Sequence, residues 1–148
     1  GNISTRAPVQ TGNGVMIGGL IINGTGPKTV LIRGRGPYLG GAPFNLQGVL
    51  ANPTLRLYSG QTVIAQNDNW RTTEPLCATP ITACGDATQI TATGKDPCQP
   101  NPNQTVPPPD CDLESALLVT LPPGAYTAFV EGVNGGTGLG NVGVFDVP

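Results

Sequence analysis

Short runs of β-branched and apolar residues, each closed off by glycine, proline or asparagine, set the terms for this chain. Residues 15–22 read Val-Met-Ile-Gly-Gly-Leu-Ile-Ile and end at Asn23-Gly24. Residues 29–33 read Thr-Val-Leu-Ile-Arg and end at Gly34. Residues 54–58 and 62–66 flank Ser59-Gly60-Gln61, a hairpin in which Gly60 supplies a positive φ. Residues 116–121, 125–131 and 141–147 follow, the first two separated by Pro122-Pro123-Gly124. Runs this short, spaced by turn formers, cannot build helices of ordinary length, and they fit strands. Helix signals are nearly absent: Asp112-Leu113-Glu114-Ser115 makes one turn at most. The expectation is an all-β single β-sandwich, in the jelly-roll or Ig-like class, of about 7–9 strands.

Within that frame, residues 15–22 carry apolar side chains on both faces, as a buried strand would, and Gly18-Gly19 suggests a bulge or a close backbone approach. Residues 3–9 form a short extended run. Pro8 inside it demotes it to an edge or exchanged strand. Residues 34–53 are a long connection whose apolar side chains cover one end of the sandwich. The pattern breaks over residues 71–112, which hold all four cysteines and Pro107-Pro108-Pro109. This stretch has little periodicity and reads as an insertion stapled by disulfides.

At 148 residues the chain is one domain, 1–148. A net charge of -2 has the wrong sign for a nucleic-acid binder. No run approaches the roughly 20 apolar residues of a membrane-spanning helix. The opening Gly1-Asn2-Ile3-Ser4 is expected of a mature chain whose signal peptide has been removed. An even cysteine count in such a chain predicts two disulfides among Cys77, Cys84, Cys98 and Cys111. Zinc is disfavoured, because there is no Cys-x-x-Cys pair and no His. Three connectivities are open. The local one, Cys77 with Cys84 and Cys98 with Cys111, closes two small loops without crossing.

Catalysis finds little support. Without His there is no His-dependent triad, and oxidised cysteines offer no thiolate. Gly24-Thr25-Gly26-Pro27-Lys28-Thr29 has the wrong length for a phosphate loop and no helix after it, and Gly34-Arg35-Gly36 lacks the third dinucleotide-loop glycine; both read as turns. Calcium is the ion to consider. Asp68 and Asn69 end the hairpin, Asp110, Asp112 and Glu114 lie at the far end of the insertion, and a site at Asp68, Asn69 and Asp112 forms if those ends meet. The competing reading is an Asx turn at Asp68-Asn69 and a cap at Asp112. Trp70 is either a sugar-binding platform or a core or lid residue. Asn2, Asn23 and Asn103 begin N-glycosylation patterns, which are short enough to arise by chance.

An ordered string of motifs adds a resemblance. Asn2-Ile3-Ser4-Thr5-Arg6, Ile17-Gly18-Gly19-Leu20-Ile21-Ile22, and Gly26-Pro27-Lys28-Thr29-Val30-Leu31-Ile32-Arg33-Gly34-Arg35-Gly36-Pro37 resemble a repeated bacterial extracellular module. Asn67-Asp68-Asn69-Trp70 and Leu121-Pro122-Pro123-Gly124-Ala125-Tyr126 resemble the bacterial pre-peptidase C-terminal domain, a non-catalytic β-sandwich. The resemblance spans residues 2–70 and 113–147 and fails over 71–112. It implies secretion, a sandwich and no catalytic residues.

Taken as a module standing alone, the chain is expected to be a secreted, cell-surface structural subunit, not an enzyme, that assembles with copies of itself. Residues 1–13 supply the means: Asn2, Ile3, Ser4, Thr5, Arg6 and Val9 form a strand that a neighbour can accept, and Thr11-Gly12-Asn13-Gly14 is a flexible linker. The alternative is an adhesive module binding cell-surface or matrix glycans, with calcium as its one candidate cofactor.

Overall fold

In a computed structural model, which describes residues 2–148, the chain forms two antiparallel sheets packed face to face. Nine strands follow in order: β1 (Asn2–Val9), β2 (Met16–Ile22), β3 (Lys28–Arg35), β4 (Pro53–Ser59), β5 (Thr62–Asn67), β6 (Ala83–Cys84), β7 (Ser115–Leu121), β8 (Gly124–Gly132) and β9 (Gly138–Val147). One sheet has the order β1-β9-β3-β7-β6, the other β2-β8-β4-β5. The expected β-sandwich is therefore present, and the β4–β5 hairpin turns at Gly60 with φ +62°. The Tyr126 hydroxyl donates to the Pro122 carbonyl at 2.8 Å and pins the turn that opens β8.

Strand alternation sorts the side chains. From β3, Val30 and Ile32 enter the space between the sheets, where they meet Leu20, Leu55, Leu57, Ile64, Leu117, Val119, Leu121 and Val130. Leu31 points to the other face, into a second core with Trp70, Ile90, Ala116 and Leu118. Both faces of β3 and β7 are thus buried. That is why their sequences, Lys-Thr-Val-Leu-Ile-Arg and Ser-Ala-Leu-Leu-Val-Thr-Leu, run apolar without alternating.

The cover over that outer face is the insertion. Its order goes beyond the expected disulfide staple. Strand β6 pairs with β7, Ile81 joins the main core, and Ile90 on helix α1 (Ala87–Ala92) caps the second one. The helix is set by a capping box: the Asp86 carboxylate accepts from the Gln89 backbone N–H, and the Gln89 side chain accepts from the Asp86 N–H. That signal, Asp86-Ala87-Thr88-Gln89, is present in the sequence and opens a helix of only six residues. The disulfides take the local pairing, Cys77–Cys84 and Cys98–Cys111.

Strand β2 corrects an expectation. Its apolar pattern suggested a buried strand, yet it lies at the edge of its sheet, with Ile17 57% and Ile21 70% exposed. Met16, Leu20 and Ile22 alone carry its burial. No bulge occurs at Gly18-Gly19; the register with β8 runs unbroken from Met16 opposite Val130 to Ile22 opposite Gly124. Gly34 and Arg35 also differ from expectation, being the end of β3 and not a turn.

Candidate functional site

The N-terminal residues singled out for assembly all lie on β1. They pair with β9 of the same chain over the whole strand, from Asn2 opposite Phe145 to Val9 opposite Gly138. As the proline suggested, β1 is an edge strand. Residues 2–6 are exposed; Ala7 is half-buried and Val9 is fully buried against the main core. The side-chain hydrogen bonds are few. Asn141 donates to the Ser4 hydroxyl at 2.8 Å, and the Asp146 N–H donates to the Asn2 side chain at 3.3 Å. Ala7 also packs against the main core and Arg6 lies 6.0 Å from the Phe44 ring centre, so the strand is held by main-chain pairing, these few side-chain contacts and the apolar pair Ala7 and Val9 beside its linker.

The two ends of the insertion do meet, and Trp70 and Arg71 at one end bond to Cys111, Asp112 and Glu114 at the other. The Trp70 N–H donates to the Glu114 carbonyl at 2.9 Å, and its indole N–H donates to the Cys111 carbonyl at 3.0 Å. Trp70 is 1% exposed, so it is a core residue and offers no platform to a sugar. Asp112 pairs with the Arg71 guanidinium at 2.5 Å. Asp68 accepts from the Asn52 amide at 3.3 Å, and its own N–H donates to Glu74 at 2.7 Å. Among the described residues the buried Asn69 side-chain oxygen has no hydrogen-bond partner. Calcium at Asp68, Asn69 and Asp112 would have to displace Arg71. Among the described residues, Cys98, Cys111 and Asp112 bring three potential ligand groups together, and two of them are tied in a disulfide. The residue that organises this turn is Asn67. Its amide donates to the carbonyls of Asn69 and Thr72, and its oxygen accepts from the Ala116 N–H.

A second polar constellation lies on the outer face of β3, where sequence reading placed no site. Alternation sends Leu31, Arg33 and Arg35 to the same face, beneath the insertion. Glu114 approaches from the end of the insertion and is fully buried. Its two carboxylate oxygens accept from the backbone N–H groups of Gly36 at 2.8 Å and Tyr38 at 2.9 Å. Gly36 has to be glycine: a Cβ there would sit 1.8 Å from the Leu50 carbonyl oxygen. The Arg35 Nε lies 4.0 Å from Glu114, while its guanidinium stacks 3.4 Å from the Tyr38 ring centre and donates to the Pro97 carbonyl. Arg33 donates to the Lys95 carbonyl at 3.0 Å and lies over Phe145.

Burial dominates the electrostatics here. Loss of hydration pushes the Glu114 carboxyl up to about 7, against the pull of its two backbone donors and of Arg35 and Arg33. The same loss of hydration, with repulsion from Arg35, brings Arg33 down to about 9, and Arg35 is lowered as well, chiefly by burial. Arg33, at about 9, remains cationic at neutral pH. A sequence signal for this cluster exists in hindsight: two arginines at strand spacing on the face that also carries Leu31.

Comparison with protein-family models, with curated proteins and with solved structures finds no match to this chain, so the resemblance to the pre-peptidase C-terminal domain stands on the motifs alone.

Proposed function

We propose that this chain is an extracellular structural subunit that assembles by exchanging its N-terminal strand between copies. The observation that carries the proposal is the way β1 is held. Eight residues pair with β9 along their whole length, yet only Val9 is fully buried. Withdrawing such a strand gives up backbone pairing and little apolar area. A second copy's β1 restores the same pairs, because an exchanged strand repeats the contacts of the original. The connection that would open, residues 10–15, contains Gly12 at φ +61° and Gly14. Repeated without closure, the exchange gives a filament; with closure, a ring.

Two further features agree with this reading. The disulfides are compatible with an oxidising, extracellular setting. Among the described residues no helix is long and apolar enough to cross a membrane. A structural role also suits a chain without His and without free cysteines.

The test is to delete residues 1–10 and compare the truncated and parent chains by electron microscopy and sedimentation. The parent is expected to form polymers and the truncated chain to stay folded and monomeric. Adding a synthetic peptide of residues 1–10 to the truncated chain should raise its melting temperature by filling the β9 edge. Polymers from the truncated chain, or a parent that is monomeric by both methods, would show the proposal to be wrong.

A further inference from the structure

Between the outer face of β3 and the insertion lies a cavity of about 350 Å³. Arg33, Arg35 and Tyr38 form its floor, and Lys95, Gln99 and Asn101 belong to its wall. We propose that this cavity is a binding site for an acidic saccharide, with Arg33, Arg35 and Lys95 receiving the sugar carboxylate.

The charges demand an anion. Three cations meet here against two buried carboxylates, and both carboxylates are engaged. Glu114 accepts from two backbone N–H groups, and Asp96 accepts from the Cys98 N–H at 2.9 Å. Burial also raises the Glu114 carboxyl to about 7, so its countercharge is incomplete at neutral pH. Each guanidinium has five N–H donors. Among the described residues Arg33 makes one hydrogen bond and Arg35 one, both to backbone carbonyls of the insertion. Their Nε groups are buried with no hydrogen-bond partner, although Arg35 is only 3% exposed. The Nε atoms are shut off from the cavity, so the donors left for a carboxylate are the terminal nitrogens that carry no hydrogen bond among the described residues, Nη2 of Arg33 and Nη1 of Arg35.

The rest of the lining selects the carrier of that carboxylate. Gln99 offers an amide that suits hydroxyl groups, while the Asn101 amide is held in the wall, accepting from the Tyr38 hydroxyl at 2.9 Å and donating to the Ala42 carbonyl at 3.5 Å. The lining has no aliphatic side chain beyond its prolines, so a lipid chain finds nothing to bury against. An extended peptide would need an open sheet edge or a long groove, and here the insertion closes over the strand. A nucleic acid needs a basic stripe, which a chain of net charge -2 does not supply. The volume lies within the range of about 300–1,000 Å³ usual for small-ligand sites.

Isothermal titration of the whole chain tests this with three probes: a glucuronic-acid disaccharide, the same disaccharide with its carboxyl reduced to an alcohol, and acetate. Arg33→Gln and Lys95→Gln are the variants, because both side chains reach solvent; their melting temperatures report that the fold is kept. The acidic disaccharide should bind, and the reduced one and acetate should bind at least about tenfold more weakly. Each variant should weaken the acidic disaccharide about tenfold, and rising salt should weaken it further. Equal binding of the reduced disaccharide, no binding of the acidic one, or no effect of either variant would overturn the proposal. Acetate binding as tightly as the disaccharide would also overturn it, since the site would then be a simple anion hole. The outcome does not depend on whether β1 is exchanged.

Discussion

At the scale of the residue, Glu114 shows how one buried group ties the parts of this molecule together. It links the end of the insertion to the turn after β3 through two backbone N–H groups. Its carboxyl is raised from an ordinary value near 4.5 to about 7, so the folded state holds the proton more tightly than the unfolded state. Between those two values the folded chain binds more protons, and stability falls as pH rises. The contribution is full below about 4.5 and lost by about 7. At about 1.4 kcal/mol per pH unit the window amounts to roughly 3 kcal/mol at most. Arg33, Arg35, Tyr38 and Asp96 surround the cluster and contribute to its field. Chemical denaturation at pH 5, 6 and 7 should therefore show declining stability in the parent and a flatter profile in Glu114→Gln. Identical pH profiles for the two proteins would remove Glu114 as the cause.

Elements carry a second lesson, from β2. Its apolar residues are of two kinds that the sequence does not distinguish. Ile17 and Ile21 face water, and Leu20 is 6% exposed in the main core. Ile21→Thr should shift stability by less than about 0.5 kcal/mol, as surface substitutions do. Leu20→Ala should cost about 2–5 kcal/mol through lost burial and the cavity left behind. Urea titrations of the two variants decide this, and a large loss for Ile21→Thr would contradict the edge position. The same argument explains β1, where an extended run with a proline was legible as an edge strand. Pairing with β9 was not legible, because the partner lies at the other end of the chain.

The whole molecule is a three-layer arrangement over part of its area: one sheet, a second sheet, and the insertion on the outer face of the five-stranded one. Trp70, the single tryptophan, sits at the joint between sandwich and insertion. Cys98–Cys111 closes a loop with a sequence separation of 13 beside it. A loop of that size contributes about 3 kcal/mol in the chain-entropy account. Reducing the chain, or replacing Cys98 and Cys111 with Ser, should loosen the insertion first. Tryptophan emission should then shift to the red before the strands of the four-stranded sheet lose hydrogen-exchange protection. Simultaneous loss of both signals would mean that the insertion and the sandwich unfold as one unit.

The sequence by itself determined what depends on neighbours along the chain. Turn residues such as Gly60 and Pro122-Pro123-Gly124 placed the strand ends, short apolar runs made helices improbable, and the proline in β1 marked an edge. It also left the cysteines with three pairings, of which the structure takes the local one. Tertiary structure decided what depends on which faces are covered. Apolar residues in β2 and β3 look alike in the sequence, but only β3 has a sheet on one face and an insertion on the other. The charged cavity follows from the same fact. Arg33 and Arg35 would be ordinary solvated charges on an open sheet, and they become a desolvated pair because residues far along the chain fold back over them. A local pattern fixes conformation through short-range sterics and hydrogen bonds, whereas burial is a property of the whole packing.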